Sequence, residues 1–104
     1  MDKTLGLIGI STKAGKVAFG TEQVLDSIQK NKVKLVIVAK DASKRTIDKF
    51  ELLCKKQNIK FVIYGSIELL SKAIGKQNKA IIAIRDNNLS EEIIKTICGG
   101  ETVG

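Results

Sequence analysis

Lys34-Leu-Val-Ile-Val-Ala-Lys40 sets five unbroken apolar residues, three of them β-branched, between two lysines. The run is too short for a helix core and has no polar residue to mark a solvent side. That pattern predicts a strand over 33–39 covered on both faces. Downstream, Ser43 is placed to cap a helix reaching Gln57, with Ile47, Phe50 and Cys54 at helical spacing. Phe61-Val-Ile-Tyr64 reads as the next strand. Ser66 caps a short helix carrying Ile67, Leu70 and Ile74, stopped by Gly75. A second five-residue run, Ala80-Ile-Ile-Ala-Ile84, marks a strand over 79–85. Ser90 is expected to cap a last helix with Ile93, Ile94 and Ile97 apolar and Glu91 and Glu92 in its first turn. Upstream, Thr21–Asn31 reads as a helix with Val24, Leu25 and Ile28 inward. Lys16–Phe19 is a short strand closed by Gly20, and 3–13 is a helix with Leu5, Ile8 and Thr12 on one face. Four strands alternating with helices predict an α/β fold, a central sheet with helices on both faces.

A chain of 104 residues holds one core. It is expected to form a single domain over 1–98, with 99–104 a flexible tail. The absence of histidine excludes a Ser-His-Asp or Cys-His nucleophilic site and any imidazole metal ligand. No carboxylates pair for acid–base work. The expectation is no enzyme, no catalytic residue, no metal and no cofactor. Apolar runs of five residues fall far short of the roughly 20 that span a bilayer, so a cytoplasmic protein without membrane contact is expected. Cys54 and Cys98 have no CxxC spacing and read as buried helix-face thiols in a reducing compartment.

Charge points to the partner. Residues 1–85 carry 17 basic and 7 acidic side chains, whereas the remaining 19 residues carry 1 and 4. So concentrated a surplus attracts polyanions, nucleic acid above all. Sixteen lysines against two arginines favour phosphate attraction over bidentate base reading. Four aromatics (Phe19, Phe50, Phe61, Tyr64) leave little for base-stacking platforms.

Gly9-Ile-Ser-Thr-Lys-Ala-Gly15-Lys16 approaches a phosphate-cradling P-loop but fails: five residues separate its glycines, and Val17 stands where a metal-binding hydroxyl belongs. The junction Phe19-Gly20-Thr21-Glu22-Gln23 is more informative. Gly20 permits a turn or close backbone approach, and the helix opening there offers unpaired N–H groups and a positive dipole end. An ordinary strand–helix turn reads equally well from these residues alone. Lys40-Asp41-Ala-Ser-Lys44-Arg45 and Gly75-Lys76-Gln77-Asn78-Lys79 are two further polar loops. Gathered at one end of the sheet, the three would form a single basic rim.

Taken together, Leu5-Gly-Leu, Ala14-Gly-Lys16-Val17, Phe19-Gly20-Thr21, Lys34–Ala39, Asp41-Ala-Ser43 and Ala73-Ile-Gly75-Lys76 resemble the kink-turn-binding ribosomal protein superfamily, of large-subunit seven-Ae and thirty-e type. Within it the chain is most similar to the small bacterial YlxQ-like branch. The resemblance covers about residues 4–97. It implies a three-layer α/β/α sandwich on a four-stranded mixed sheet. It also implies a function: binding kink-turns, sharp RNA bends flanked by sheared G·A pairs. The implied contacts are Gly20, Thr21, Glu22 and Gln23 at the helix start, with the Gln23 amide oxygen accepting from guanine. Gly75, Lys76, Gln77, Asn78 and Lys79 would lie on the flipped-out nucleotide, and Lys40, Asp41 and Lys44 in a third contacting segment. Glu22 and Asp26 depart from the family pattern, which favours Asn or Lys at the first position and often lysine at the second.

The leading reading is therefore a monomeric, non-enzymatic protein binding structured RNA, kink-turn or ribosomal, in a ribosome or translation setting with ribosomal proteins as partners. Glu22 and Asp26 keep open a protein-interaction module of ribosome assembly with weak RNA affinity. A small-molecule-binding enzyme is opposed by the missing histidine and catalytic pair.

Overall fold

A computed structural model describes residues 2–99, with side chains through Ile97. Along the chain run α1 (Lys3–Lys13), β1 (Val17–Phe19), α2 (Thr21–Gln29), β2 (Leu35–Val38), α3 (Lys44–Gln57), β3 (Lys60–Ile63), α4 (Ile67–Ala73), β4 (Ile81–Ile84) and α5 (Asn87–Ile94). A π-helical turn, Lys95–Gly99, follows α5. Helical backbone thus runs one residue into the expected tail. The rest of that tail and the Cys98 side chain lie outside the described residues.

The strands form one mixed sheet in the order β1-β4-β2-β3. β4 runs antiparallel to both neighbours, with Phe19 opposite Ile82 and Val38 opposite Ile81, while β2 and β3 are parallel. The two five-residue apolar runs of the sequence are therefore the two central strands, and every residue of β2 and β4 is buried. Side chains alternate between two cores, as strand geometry demands. Leu35, Ile37, Ile82 and Ile84 pack with Leu5 and Ile8 of α1, Leu70 of α4 and Ile93 of α5. Val36, Val38, Ile81 and Ala83 pack with Val24 and Ile28 of α2 and Phe50 and Cys54 of α3. The result is the three-layer α/β/α sandwich, with α1, α4 and α5 on one face and α2 and α3 on the other. Burial pushes the Cys54 thiol up to about 11, as expected of an inert core cysteine. Gly9 lies inside α1, its α-carbon facing the Ala73 carbonyl of α4, so the P-loop-like segment serves helix packing.

Helix ends follow capping chemistry. Side-chain oxygens of Asp2, Ser43, Ser66 and Asp86 accept from backbone N–H groups at the starts of α1, α3, α4 and α5. Asn58, left-handed at φ 59°, closes α3. Ser90 does not cap the last helix as expected; Asp86 does. The helix starts directly off β4, and Asp86 Oδ2 accepts from Leu89 N at 2.8 Å. Ser90 falls one turn later, 2% exposed, with no hydrogen-bond partner for its hydroxyl among the described residues. Glu91 and Glu92 consequently sit beyond the first turn, where the dipole favours them little. Glu92 lies 3.7 Å from Lys95 instead.

Candidate nucleic-acid interface

The three polar loops meet at one end of the sheet. The β1–α2 and β2–α3 loops leave the C-terminal ends of their strands, and the Gly75–Lys79 loop enters the N-terminal end of β4. Because β4 is antiparallel to β1 and β2, these ends coincide. Gly20 N donates to Ile81 O at 3.0 Å and Ala39 N to Ala80 O at 2.9 Å, tying the loops to one rim.

The start of α2 is unlike every other helix start among the described residues. Gly20 sits at φ 84°, ψ 156°, a region essentially reserved for glycine, and no side chain caps the helix. Among the described residues the N–H groups of Thr21, Glu22 and Gln23 therefore have no acceptor, at the positive end of the helix dipole. β1 is an edge strand, so the Phe19 N–H points away from β4. Gln23 Oε1 accepts it at 3.3 Å. The oxygen expected to take a guanine N–H is thus partly engaged, while the Gln23 side chain stays exposed. Asp26, the second departure from the family pattern, is paired with Lys30 at 3.0 Å. Glu22 remains exposed beside the open amides.

Opposite this helix start stands the loop before β4. Ser71, 4% exposed on α4, accepts from Lys79 N at 2.8 Å and donates to Lys79 O at 3.3 Å, a two-point clamp on the loop's last residue. Asn78 adopts the left-handed conformation at φ 56°. The clamp turns Lys79 toward α2: its Nζ would lie 3.6 Å from a Cβ placed on Gly20. The Phe19 ring carries two ammonium groups, Lys76 Nζ at 5.0 Å and Lys79 Nζ at 5.7 Å from its centroid. Such contacts hold lysine cations in place at an exposed surface.

Two adjoining clefts result. Phe19, Gly20, Thr21, Glu22, Gln23 and Lys79 line one of about 290 Å³. Asp41, Lys76, Gln77 and Asn78 share another, of about 580 Å³, with α4 residues. Asp41 is bound inward, its Oδ1 accepting from Ile67 N at 2.8 Å, so it organises the rim from within. Lys40 and Lys44 line neither cleft; Lys44 extends toward Asp48 at 4.0 Å and is largely exposed. Phe19 and Ser71 are the residues that sequence reasoning missed. Phe19's place next to Gly20 was the available signal; nothing local marked Ser71. Among the described residues no three His, Cys, Asp or Glu side chains converge as a metal site, and no described helix is long and apolar enough to cross a membrane.

Fold and rim together define a small α/β/α protein that displays fixed cations and open backbone amides at one end of its sheet. The chain belongs to the ribosomal protein L7Ae/L30e/S12e/Gadd45 family, whose family model matches residues 2–94. It is 28% identical over 91 residues to the RNA-binding protein YlxQ of Bacillus subtilis, covering 88% of this chain and 91% of that one. It is 30% identical over 96 residues to large ribosomal subunit protein eL8 of Thermoplasma acidophilum, covering 91% and 79%. The solved structure of a Bacillus halodurans protein of unknown function superposes with a TM-score of 0.89 at 31% identity, covering 93% and 98%.

Proposed function

We propose that this protein binds structured RNA through the loop end of its sheet, in a ribosomal or translation setting and without catalysis, and that its preferred target is the kink-turn. The observation carrying this reading is the uncapped start of α2 facing the Lys76–Lys79 loop across Phe19. Open amides and lysines suit phosphate oxygens, which position an RNA; the Gln23 amide and the exposed Glu22 carboxylate suit base edges, which specify it. The relatives named for RNA binding and for the large ribosomal subunit support the same partner. Lys30 balances Asp26, which removes one of the two charges favouring a protein-interaction module.

The test is a binding titration with three RNAs of equal length: a kink-turn, the same sequence with its G·A pairs replaced by Watson–Crick pairs, and a plain duplex. The kink-turn should bind tightest. Affinity should fall with salt, with a log–log slope of about 0.7 to 0.9 per phosphate neutralised. Equal affinity for all three would reduce the protein to a general polyanion binder.

A further inference from the structure

The pole of the sheet opposite the candidate interface carries a second cationic cleft. Lys16 precedes β1, Lys34 precedes β2 and Arg85 follows β4, so the strand pairing that gathers the polar loops at one end gathers these residues at the other. Arg85 N donates to Lys16 O at 2.8 Å and Lys34 N to Ile84 O at 2.9 Å. Lys32 joins them from the turn after α2, where its N–H donates to Ser27 O at 3.0 Å. With Gly15 these four residues line a cleft of about 360 Å³ that has no carboxylate in its wall. Arg85, one of only two arginines, is anchored by Nη2 donating to Gly15 O at 2.8 Å, which holds the guanidinium plane at the cleft. Among the described residues none of the four cations has a carboxylate oxygen within 4.0 Å. The nearest acid in sequence, Asp86, is turned into the cap of α5.

We propose that this cleft is a second RNA site that holds phosphodiester backbone, so that one molecule bridges two RNA segments from opposite poles of a body measuring 33 × 28 × 27 Å. Four convergent, unpaired cations in a concavity neutralise successive phosphates, and three of them are held in register by strand ends. The cleft offers no aromatic face and no amide side chain among its lining residues, and its one guanidinium is tied to Gly15 O, so it favours backbone over base edges. The adjoining groove shares Lys34 and sets Lys60 against a single carboxylate, Glu91, so the cationic surface continues on that side at lower charge density. The loop end and this pole bind independently, so this site stands or falls apart from the kink-turn reading.

The experiment uses the full chain with a donor-labelled kink-turn RNA and an acceptor-labelled plain duplex. Wild type should produce energy transfer between the two RNAs. Lys16→Glu with Lys34→Glu should cut duplex affinity at least tenfold and abolish transfer, while changing kink-turn affinity less than about threefold. Lys16→Gln with Lys34→Gln, a milder pair, should give an intermediate loss; circular dichroism on both confirms the fold. Lys76→Ala with Lys79→Ala should leave the duplex arm in place. Mutual displacement of the two RNAs at one-to-one stoichiometry would overturn the proposal, as would duplex binding unaltered by either pole variant. Displacement of duplex by poly-glutamate at equal charge concentration would reassign the cleft to an acidic protein and overturn it too. Loss of kink-turn preference, with duplex binding still sensitive to Lys16 and Lys34, would remove the loop-end reading and leave this one intact.

Discussion

Two helices spring directly from the ends of strands, and they begin in opposite ways. At the start of α5, Asp86 folds its carboxylate over the first turn and satisfies Leu89 N. At the start of α2, glycine supplies no side chain, and the first-turn amides stay open. A cap stabilises a helix by about 1 kcal/mol and closes its end to ligands. Leaving the end open forgoes that stabilisation and preserves donors for an anion. The surroundings agree with this division. Near the start of α2 stand two ammonium groups, those of Lys76 and Lys79 over Phe19, whereas α5 follows Arg85 with its cap Asp86 and carries Glu91 and Glu92. The capped junction uses its first-turn donors for stability, and the open one leaves its own unused.

Gly20→Ala should break the comparison most severely. A Cβ there meets Lys79 only at ordinary contact distances, 3.6 and 3.8 Å, so the cost is conformational. Forcing alanine to φ 84°, ψ 156° should lower stability by about 1–3 kcal/mol in a urea titration, and RNA affinity should fall as the turn relaxes. Gln23→Ala comes next. It should reduce selectivity for the G·A site by about 1–3 kcal/mol if its amide contacts guanine. Because Gln23 also caps the edge N–H of Phe19, a small stability loss should accompany this. Unchanged selectivity would leave the residue with that structural role alone. Asp86→Ala is the mirror case: about 0.5–2 kcal/mol of stability should be lost with kink-turn affinity unaltered. The smallest effect belongs to Glu22→Lys. Removing an acid from the first turn should cost about 0.3–1 kcal/mol, while kink-turn binding tightens and its salt slope steepens. If G·A selectivity collapses instead, Glu22 is a guanine acceptor.

Much of this was legible in the sequence, for physical reasons. Runs such as Leu35–Ala39, short, β-branched and without a polar side, favour strands covered on both faces, and the spacing of Ile47, Phe50 and Cys54 marks a buried helix face. Gly20 allowed an unusual turn but left an ordinary strand–helix turn equally open, and its φ of 84° decides between them. The start of α5 misled because Ser90-Glu-Glu carries a strong capping signature, while Asp86 lies hidden at a strand end. Proximity of the loops was the harder matter. Lys76–Lys79 precedes its strand and the other two loops follow theirs, so their meeting depends on β4 running antiparallel, which local pattern does not encode. The Phe19 platform and the Ser71 clamp are consequences of that topology. So is the cationic pole at Lys16, Lys34 and Arg85, whose members are scattered across 70 residues of chain.

On the function proposed above, the open start of α2 meets RNA and no capped helix start does. Amide chemical shifts of isotope-labelled protein, titrated with a kink-turn RNA up to one equivalent so that only the tighter site fills, decide this. The account predicts the largest changes at Thr21, Glu22, Gln23 and Lys79, with Asn87, Asn88 and Leu89 undisturbed. Changes centred on Asn87–Leu89, with the amides of Thr21–Gln23 unmoved, would contradict it.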